Sequence, residues 1–140
     1  MGSMILDITG TETEESIKKT VEWVIDQGLD LLQYSLLAAL PGSLTRQLAI
    51  AEGRLISVNP EHCDGAWPTV EHPILSPKQR IELLRDAYYR TYSVAGVGRR
   101  ILGHSNRPLN IFANTIVNKM AHRWWDKVDY DHWEKTRNLV

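Results

Sequence analysis

Apolar positions follow two rhythms along the chain, and the change between them marks its elements. Met4 to Ile8 is a brief apolar stretch compatible with a strand. Thr11 with Glu14 three residues on forms a capping box, and Ile17, Val21, Val24 and Ile25 then recur at helical steps until Gly28. Leu29 to Leu37 is apolar on both faces except at Gln33 and Ser35, the pattern of a strand covered on both sides in a parallel sheet. Strand, helix and strand make one βαβ unit.

Beyond that unit the helical rhythm takes over. Pro41-Gly42 stops the strand, and Leu44, Leu48 and Ala51 mark the apolar side of a helix that Gly53 closes. Residues 54–75 carry Pro60, Gly65, Pro68 and Pro73 and read as a long irregular connection, of the kind that is often functional or packed by its own side chains. Ser76-Pro77 with Gln79 supplies an N-cap, a first-turn proline and a capping-box partner, and Ile81, Leu84, Ala87, Tyr88, Thr91 and Tyr92 line one face behind them. Gly96 and Gly98 interrupt the pattern. Asn106 and Pro108 then start a further helix through Leu109, Phe112, Ile116, Met120 and Trp124, and the polar, aromatic tail from Asp126 suits a short helix. The expected fold is therefore α/β and predominantly helical, a single domain over residues 4–140. Met1-Gly2-Ser3 before Met4 has the look of a cloning scar.

Composition narrows the classes. An apolar content of 43% and a net charge of -1 suit one domain with a real core rather than a disordered chain. No unbroken apolar run approaches the roughly 20 residues that span a bilayer, so no membrane span is expected. The single cysteine, Cys63, excludes an internal disulfide and any multi-cysteine metal site, and favours a reducing, cytoplasmic setting. Charge is uneven: residues 1–75 carry eleven Asp/Glu against four Lys/Arg, and residues 76–140 carry six against twelve. An acidic face docking on a basic one explains this better than a nucleic-acid site, because the basic residues are dispersed.

Candidate chemistry is thin. Cys63 lies beside His62 and Asp64, but sequence neighbours do not reliably face one another, and no catalytic role is assigned. His122, Asp126, Asp129, Asp131 and His132 permit a divalent-metal site, yet a solvated helix end explains them, and no metal is expected. Glu12, Glu14 and Glu15 complement a helix dipole. Trp124, Trp125 and Trp133 with Tyr130 could stack on a flat ligand, and a subunit interface is the preferred reading.

Several pieces, in order, resemble one family. They are Gly10-Thr11-Glu12-Thr13-Glu14-Glu15-Ser16, Gln33-Tyr34-Ser35, Leu40-Pro41-Gly42-Ser43, Glu52-Gly53-Arg54, Asp64-Gly65, Pro73-Ile74-Leu75-Ser76-Pro77, and Tyr88-Tyr89-Arg90 with Tyr92. Together they resemble the late barrel segment of radical S-adenosylmethionine proteins, in the branch with a cobalamin-binding domain, over roughly residues 5–101. The chain departs from that pattern at Thr9 and at Ala38-Ala39, and it lacks the three-cysteine motif of the front end.

The resemblance implies a βαβ unit like the last part of such a barrel, followed by C-terminal helices. It implies that Gly10, Thr11, Glu12, Gln33, Ser35, Pro41 and Gly42 lie near a ligand region. It implies no cofactor in this chain, with S-adenosylmethionine and an iron–sulfur cluster entering only with a catalytic partner. The expected role is a non-catalytic accessory or interaction module that forms a homo-oligomer or packs on a protein partner. The alternatives are a fragment of a radical enzyme whose catalytic half is absent, and a small standalone binder of a hydrophobic or nucleotide ligand.

Overall fold

The computed structural model describes residues 2–101, 114–116 and 128–139. Its elements are β1 (Gly2–Ile5), α1 (Glu14–Asp26), β2 (Leu32–Ser35), α2 (Leu44–Ala51), a 3-10 turn (Pro60–Asp64), α3 (Pro77–Tyr92), α4 (Val94–Ile101) and α5 (Tyr130–Thr136). It is a mixed α/β chain, mostly helical, around a two-stranded parallel sheet. Among the described residues, no helix is long and apolar enough to cross a membrane.

β1 and β2 pair in parallel with Gly2 opposite Leu32 and Ile5 opposite Ser35. The first strand thus starts two residues earlier than expected and ends at Ile5, and Gly2 and Ser3 take part through backbone alone. It stops because Asp7 turns inward: its Oδ1 accepts the Leu37 N–H at 2.6 Å and its Oδ2 accepts Arg80 Nε at 2.7 Å. Leu6 still donates to Ser35, and residues 7–10 leave the ladder as bends.

The apolar stripe of α1 is the one the spacing predicts, since Ile17, Val21, Val24 and Ile25 are buried. Its cap lies two residues later than expected. Thr13 and Ser16 form the capping box, because Glu12 is held back in the loop by the Thr9 N–H at 2.8 Å. The stripe packs with Leu32, Tyr34 and Leu36 of the β2 segment, Ile81, Leu84 and Ala87 of α3, and Trp67 and Trp133.

β2 is not covered on both sides. Leu32 and Tyr34 face this core while Gln33 is exposed, so one face of the sheet carries the packing and the other carries Gln33, Ser35, Ser3 and Ile5.

α2 also departs from expectation. Ala49 is its buried residue, resting with Ala39 and Val70, whereas Leu44 and Leu48 are exposed. The connection 54–75 is packed by its own side chains: Leu55 bridges Val70, and Ser57, His62, Trp67 and Thr69 are buried. α3 keeps the predicted capping box of Ser76 and Gln79 with Pro77 in its first turn.

Gly96 and Gly98, expected as a break, lie within α4. Ser93 ends α3 in an extended conformation, and its Oγ accepts the Gly96 N–H at 3.0 Å. Gly96 then approaches the end of α3 so closely that a Cβ there would lie 2.8 Å from the Thr91 carbonyl oxygen and nearer still to that of Arg90. Glycine is required by packing, not by a turn. Arg99 and Arg90 pair with Glu22, and Arg99 also with Asp26, so basic residues of the second half meet acidic ones of the first.

Trp133 is a core residue rather than an interface residue. It is 1% exposed and its Nε1 donates to the Pro68 carbonyl at 3.0 Å. The helix expected from 106–108 to Trp124, together with Trp125, His122 and Asp126, lies outside the described residues apart from a helical 114–116.

Candidate functional site: the strand ends and the sheet edges

The two edges of the sheet are treated differently. Backbone bonds from Gly2 N to Leu31 O (2.8 Å) and from Leu6 N to Ser35 O (2.9 Å) fix the parity of the ladder. Leu32 and Tyr34 therefore point their N–H and C=O away from β1, where a third strand would sit. Two tyrosine hydroxyls of α3 stand there instead. Tyr92 Oη accepts the Leu32 N–H at 3.1 Å and donates to the Leu32 carbonyl at 2.6 Å. Tyr88 Oη does the same for Tyr34, at 3.0 and 2.9 Å. Burial pushes the Tyr88 phenol up to about 12, against the opposing effect of its bond to the Tyr34 backbone, and raises Tyr92 likewise. Both hydroxyls keep their protons, which this two-way bonding needs. The phenols lie one helical turn apart with rings stacked at 6.2 Å.

On the other edge, the same parity turns the N–H and C=O of Ser3 and Ile5 outward. No backbone bond to them is made by the described residues, and both side chains are exposed.

At the carboxyl ends of the strands lies a cavity of about 450 Å³. Such strand ends are where parallel α/β sheets bind ligands. Ile8, Gly10, Leu37, Leu48, Val70 and Pro73 supply its apolar wall, and Thr9, Thr45, Arg54, Glu71 and His72 join Asp7 and Arg80 in a polar wall of nearly equal extent. Asp7 and Arg80 form part of it as a buried ion pair, 3% and 2% exposed. Arg80 also donates to the Val70 carbonyl at 2.6 Å. Both charges are thus spent on the protein itself.

Glu12 and His72 make a second pair beside it. His72 Nδ1 accepts the N–H groups of Ile74 (3.2 Å) and Leu75 (3.0 Å), which leaves the proton on Nε2, 3.3 Å from Glu12 Oε2. Burial alone would raise the Glu12 carboxyl, but the Thr9 hydrogen bonds, its own backbone N–H and His72 bring it down to about 2. With Nδ1 occupied, His72 acts as a clasp rather than a base.

The residues expected near a ligand are dispersed. Gly10, in the left-handed region at φ 76°, lines the cavity. Thr11 bonds Thr9, and Glu12 is committed to His72. Gln33 is exposed on the open sheet face, and Ser35 lies under Gly65, where an added Cβ would come within 2.9 Å of its own. Pro41 and Gly42 form an exposed turn in which Ser43 N bonds the Leu40 carbonyl at 3.0 Å.

Residues that carry the arrangement escaped the sequence reading: Asp7, Arg80, His72, Thr45 and Glu71. One signal was there for Arg80, which falls at helical steps with Leu84, Ala87 and Thr91 on the buried stripe of α3.

Ser57 Oγ and His62 Nδ1 lie 2.8 Å apart, but His62 Nε2 meets Thr136 Oγ1 at 3.0 Å and both residues are buried, so the pair fastens α5 to the connection. Cys63 touches the Ala39 carbonyl at 3.7 Å, and one thiol cannot hold an iron–sulfur cluster. Among the described residues no group of three or more His, Cys, Asp or Glu could hold a metal ion. Asp129 caps α5 instead, accepting the His132 N–H at 2.7 Å.

Compared with family models, curated proteins and solved structures, the chain matches none.

Proposed function

We propose that the chain is a non-catalytic interaction module that joins its sheet, through the outer edge of β1, to a strand of a second copy of itself. One observation carries this reading: the sheet is sealed on one side by Tyr88 and Tyr92, while the outward N–H and C=O of Ser3 and Ile5 meet no backbone partner among the described residues. An unpaired edge is a template for another strand. Two copies related by a two-fold axis would lay β1 against β1 in antiparallel fashion, each offering the same donors and acceptors.

The resemblance to radical S-adenosylmethionine proteins fits this role. A segment equivalent to the last strands of a partial barrel would end the sheet at β2 and leave it open at β1, with Gln33 exposed on its outer face. S-adenosylmethionine and a cluster would belong to a catalytic partner. The same open edge favours a second reading, in which the neighbouring strand comes from the front half of a longer radical enzyme.

Sedimentation of the purified chain separates them. The Ile5 N–H points away from β2, so Ile5→Pro removes an outward donor and leaves the ladder intact. A dimer in the parent that becomes a folded monomer in Ile5→Pro is expected. A parent that stays monomeric at high concentration contradicts self-pairing and leaves the front-half reading.

A further inference from the structure

We infer that the exposed apolar side of α2 docks on the amino end of the sheet in a second copy of the chain, so that a helix face holds the dimer together with the strand edge. This rests on the self-pairing of β1 proposed above and names the surface that completes it.

The edge alone is too small. β1 has four residues, which makes a strip about 13 Å long and about 10 Å thick, roughly 130 Å². A stable pair of proteins takes about 800 Å² from each partner. Most of the contact therefore comes from surface beyond the strand.

Apolar surface past the carboxyl end of β1 meets that need. Ile8, three residues beyond the strand, is 57% exposed, and it lines the strand-end cavity together with Leu48 of α2, which is 47% exposed. Leu44, one turn before Leu48, is 68% exposed, and Leu40, in the turn that leads into α2, is 50%. α2 meets the core through Ala49, so packing within the chain does not require these leucines. Single exposed leucines are ordinary, but four aliphatic side chains running from a strand end onto one helix make an unpartnered face.

Symmetry says what this face meets. With Met4 on the two-fold axis, Ser3 of one copy pairs with Ile5 of the other, and the carboxyl end of each β1 lies beside the amino end of the second. At that amino end Leu29 is 37% exposed and lies against Gly2, where an added Cβ would come within 2.6 Å of its Cδ1. Ile8, Leu44 and Leu48 of one copy thus fall toward Leu29 of the other, and the two-fold axis repeats the contact.

Sedimentation of the full chain tests this with the double variant Leu44→Glu/Leu48→Glu, whose changes lie at exposed helical positions and should leave the circular dichroism spectrum intact. The dissociation constant of the dimer is expected to rise by about a hundredfold or more, because two charges per copy are pressed onto an apolar surface. Leu29→Glu, on a different element, should weaken the dimer in the same direction, and Ile50→Glu, exposed on the other side of α2, should leave it unchanged. A double variant or a Leu29→Glu chain that dimerises like the parent, while Ile5→Pro abolishes the dimer, would overturn this inference and leave the edge reading standing. A loss with Ile50→Glu as large as with the double variant would overturn it as well. A parent that stays monomeric at high concentration would remove the edge reading and this one together.

Discussion

The Tyr92 hydroxyl donates to the Leu32 carbonyl at 2.6 Å and accepts the Leu32 N–H at 3.1 Å, so a side chain of α3 occupies the place of a strand. With Tyr88 on Tyr34, it satisfies backbone groups that would otherwise be buried without partners. α3 closes the sheet and packs its core face at the same time.

Removing either hydroxyl leaves one donor and one acceptor unpaired. Tyr92→Phe and Tyr88→Phe are each expected to cost about 1–3 kcal/mol, with the larger loss at Tyr92, whose ring is the more deeply buried. Urea unfolding of both variants checks this. Losses below a few tenths of a kcal/mol would mean that the edge is not sealed by these phenols.

The Asp7–Arg80 pair joins the end of β1 to the first turn of α3 across the cavity wall. Arg80→Leu should destabilise by about 3–5 kcal/mol, because it strands a buried carboxylate, and Asp7→Leu in the same chain should recover much of the loss. A double-mutant cycle by chemical denaturation measures the coupling. Additive losses would show that the two charges act independently.

Among the described residues His62 and Glu12 shape the acid response, beside Glu22, which is lowered by its bond to Arg99. Burial holds His62 below its ordinary 6.5, with Asp64 opposing and His132 adding to the depression. Its folded form takes up a proton less readily than the unfolded chain, so stability present above 6.5 falls as the pH drops below it. Glu12, lowered from 4.5 to about 2, contributes stability that is present above 4.5 and lost between those values. Thermal melts between about pH 7.5 and 5.5 should show a decline that His62→Gln reduces, while Glu12→Gln should flatten only the later decline below about pH 4.5. A parent melting temperature that rises on acidification from 7.5 to 5.5 would reverse the sign worked out for His62.

The glycines of α4 offer a contrast. Gly96→Ala forces a methyl against the Thr91 and Arg90 carbonyls and should cost about 1–3 kcal/mol or more. Gly98, whose added Cβ would meet nothing within 4 Å, should gain about 0.5–1 kcal/mol as alanine. Equal effects in thermal melts would contradict the close approach of α4 to α3.

What could be read in advance was local. Ser76, Pro77 and Gln79 lie within one turn of each other, so the start of α3 needed no tertiary knowledge, and the stripe from Ile17 to Ile25 followed from spacing alone. Other features depended on distant partners. Thr11 and Glu14 satisfy a capping box as well as Thr13 and Ser16 do, and the choice goes with Glu12, which the Thr9 N–H and His72, 60 residues away, together hold in the loop. Leu44 and Leu48 have helical spacing but no core to face, because α2 rests on Val70 through Ala49. Gly96 reads as a breaker until the carbonyls of α3 are placed beside it. The tyrosines of α3 register in the pattern as apolar rings, and only their hydroxyl contacts show that they end a sheet. The cavity was foreshadowed by Gly10 alone, since its wall comes from strand ends, α2 and the long connection at once.

Amide hydrogen exchange on the purified chain tests the open edge most directly. In dilute solution the amides of Leu6, Leu32 and Tyr34 should be protected, by Ser35, Tyr92 and Tyr88 respectively, while those of Ser3 and Ile5 exchange freely and become protected only as the chain associates. Ser3 and Ile5 amides as slow as that of Leu6 in a dilute monomer would mean the edge is already filled, and would contradict the account.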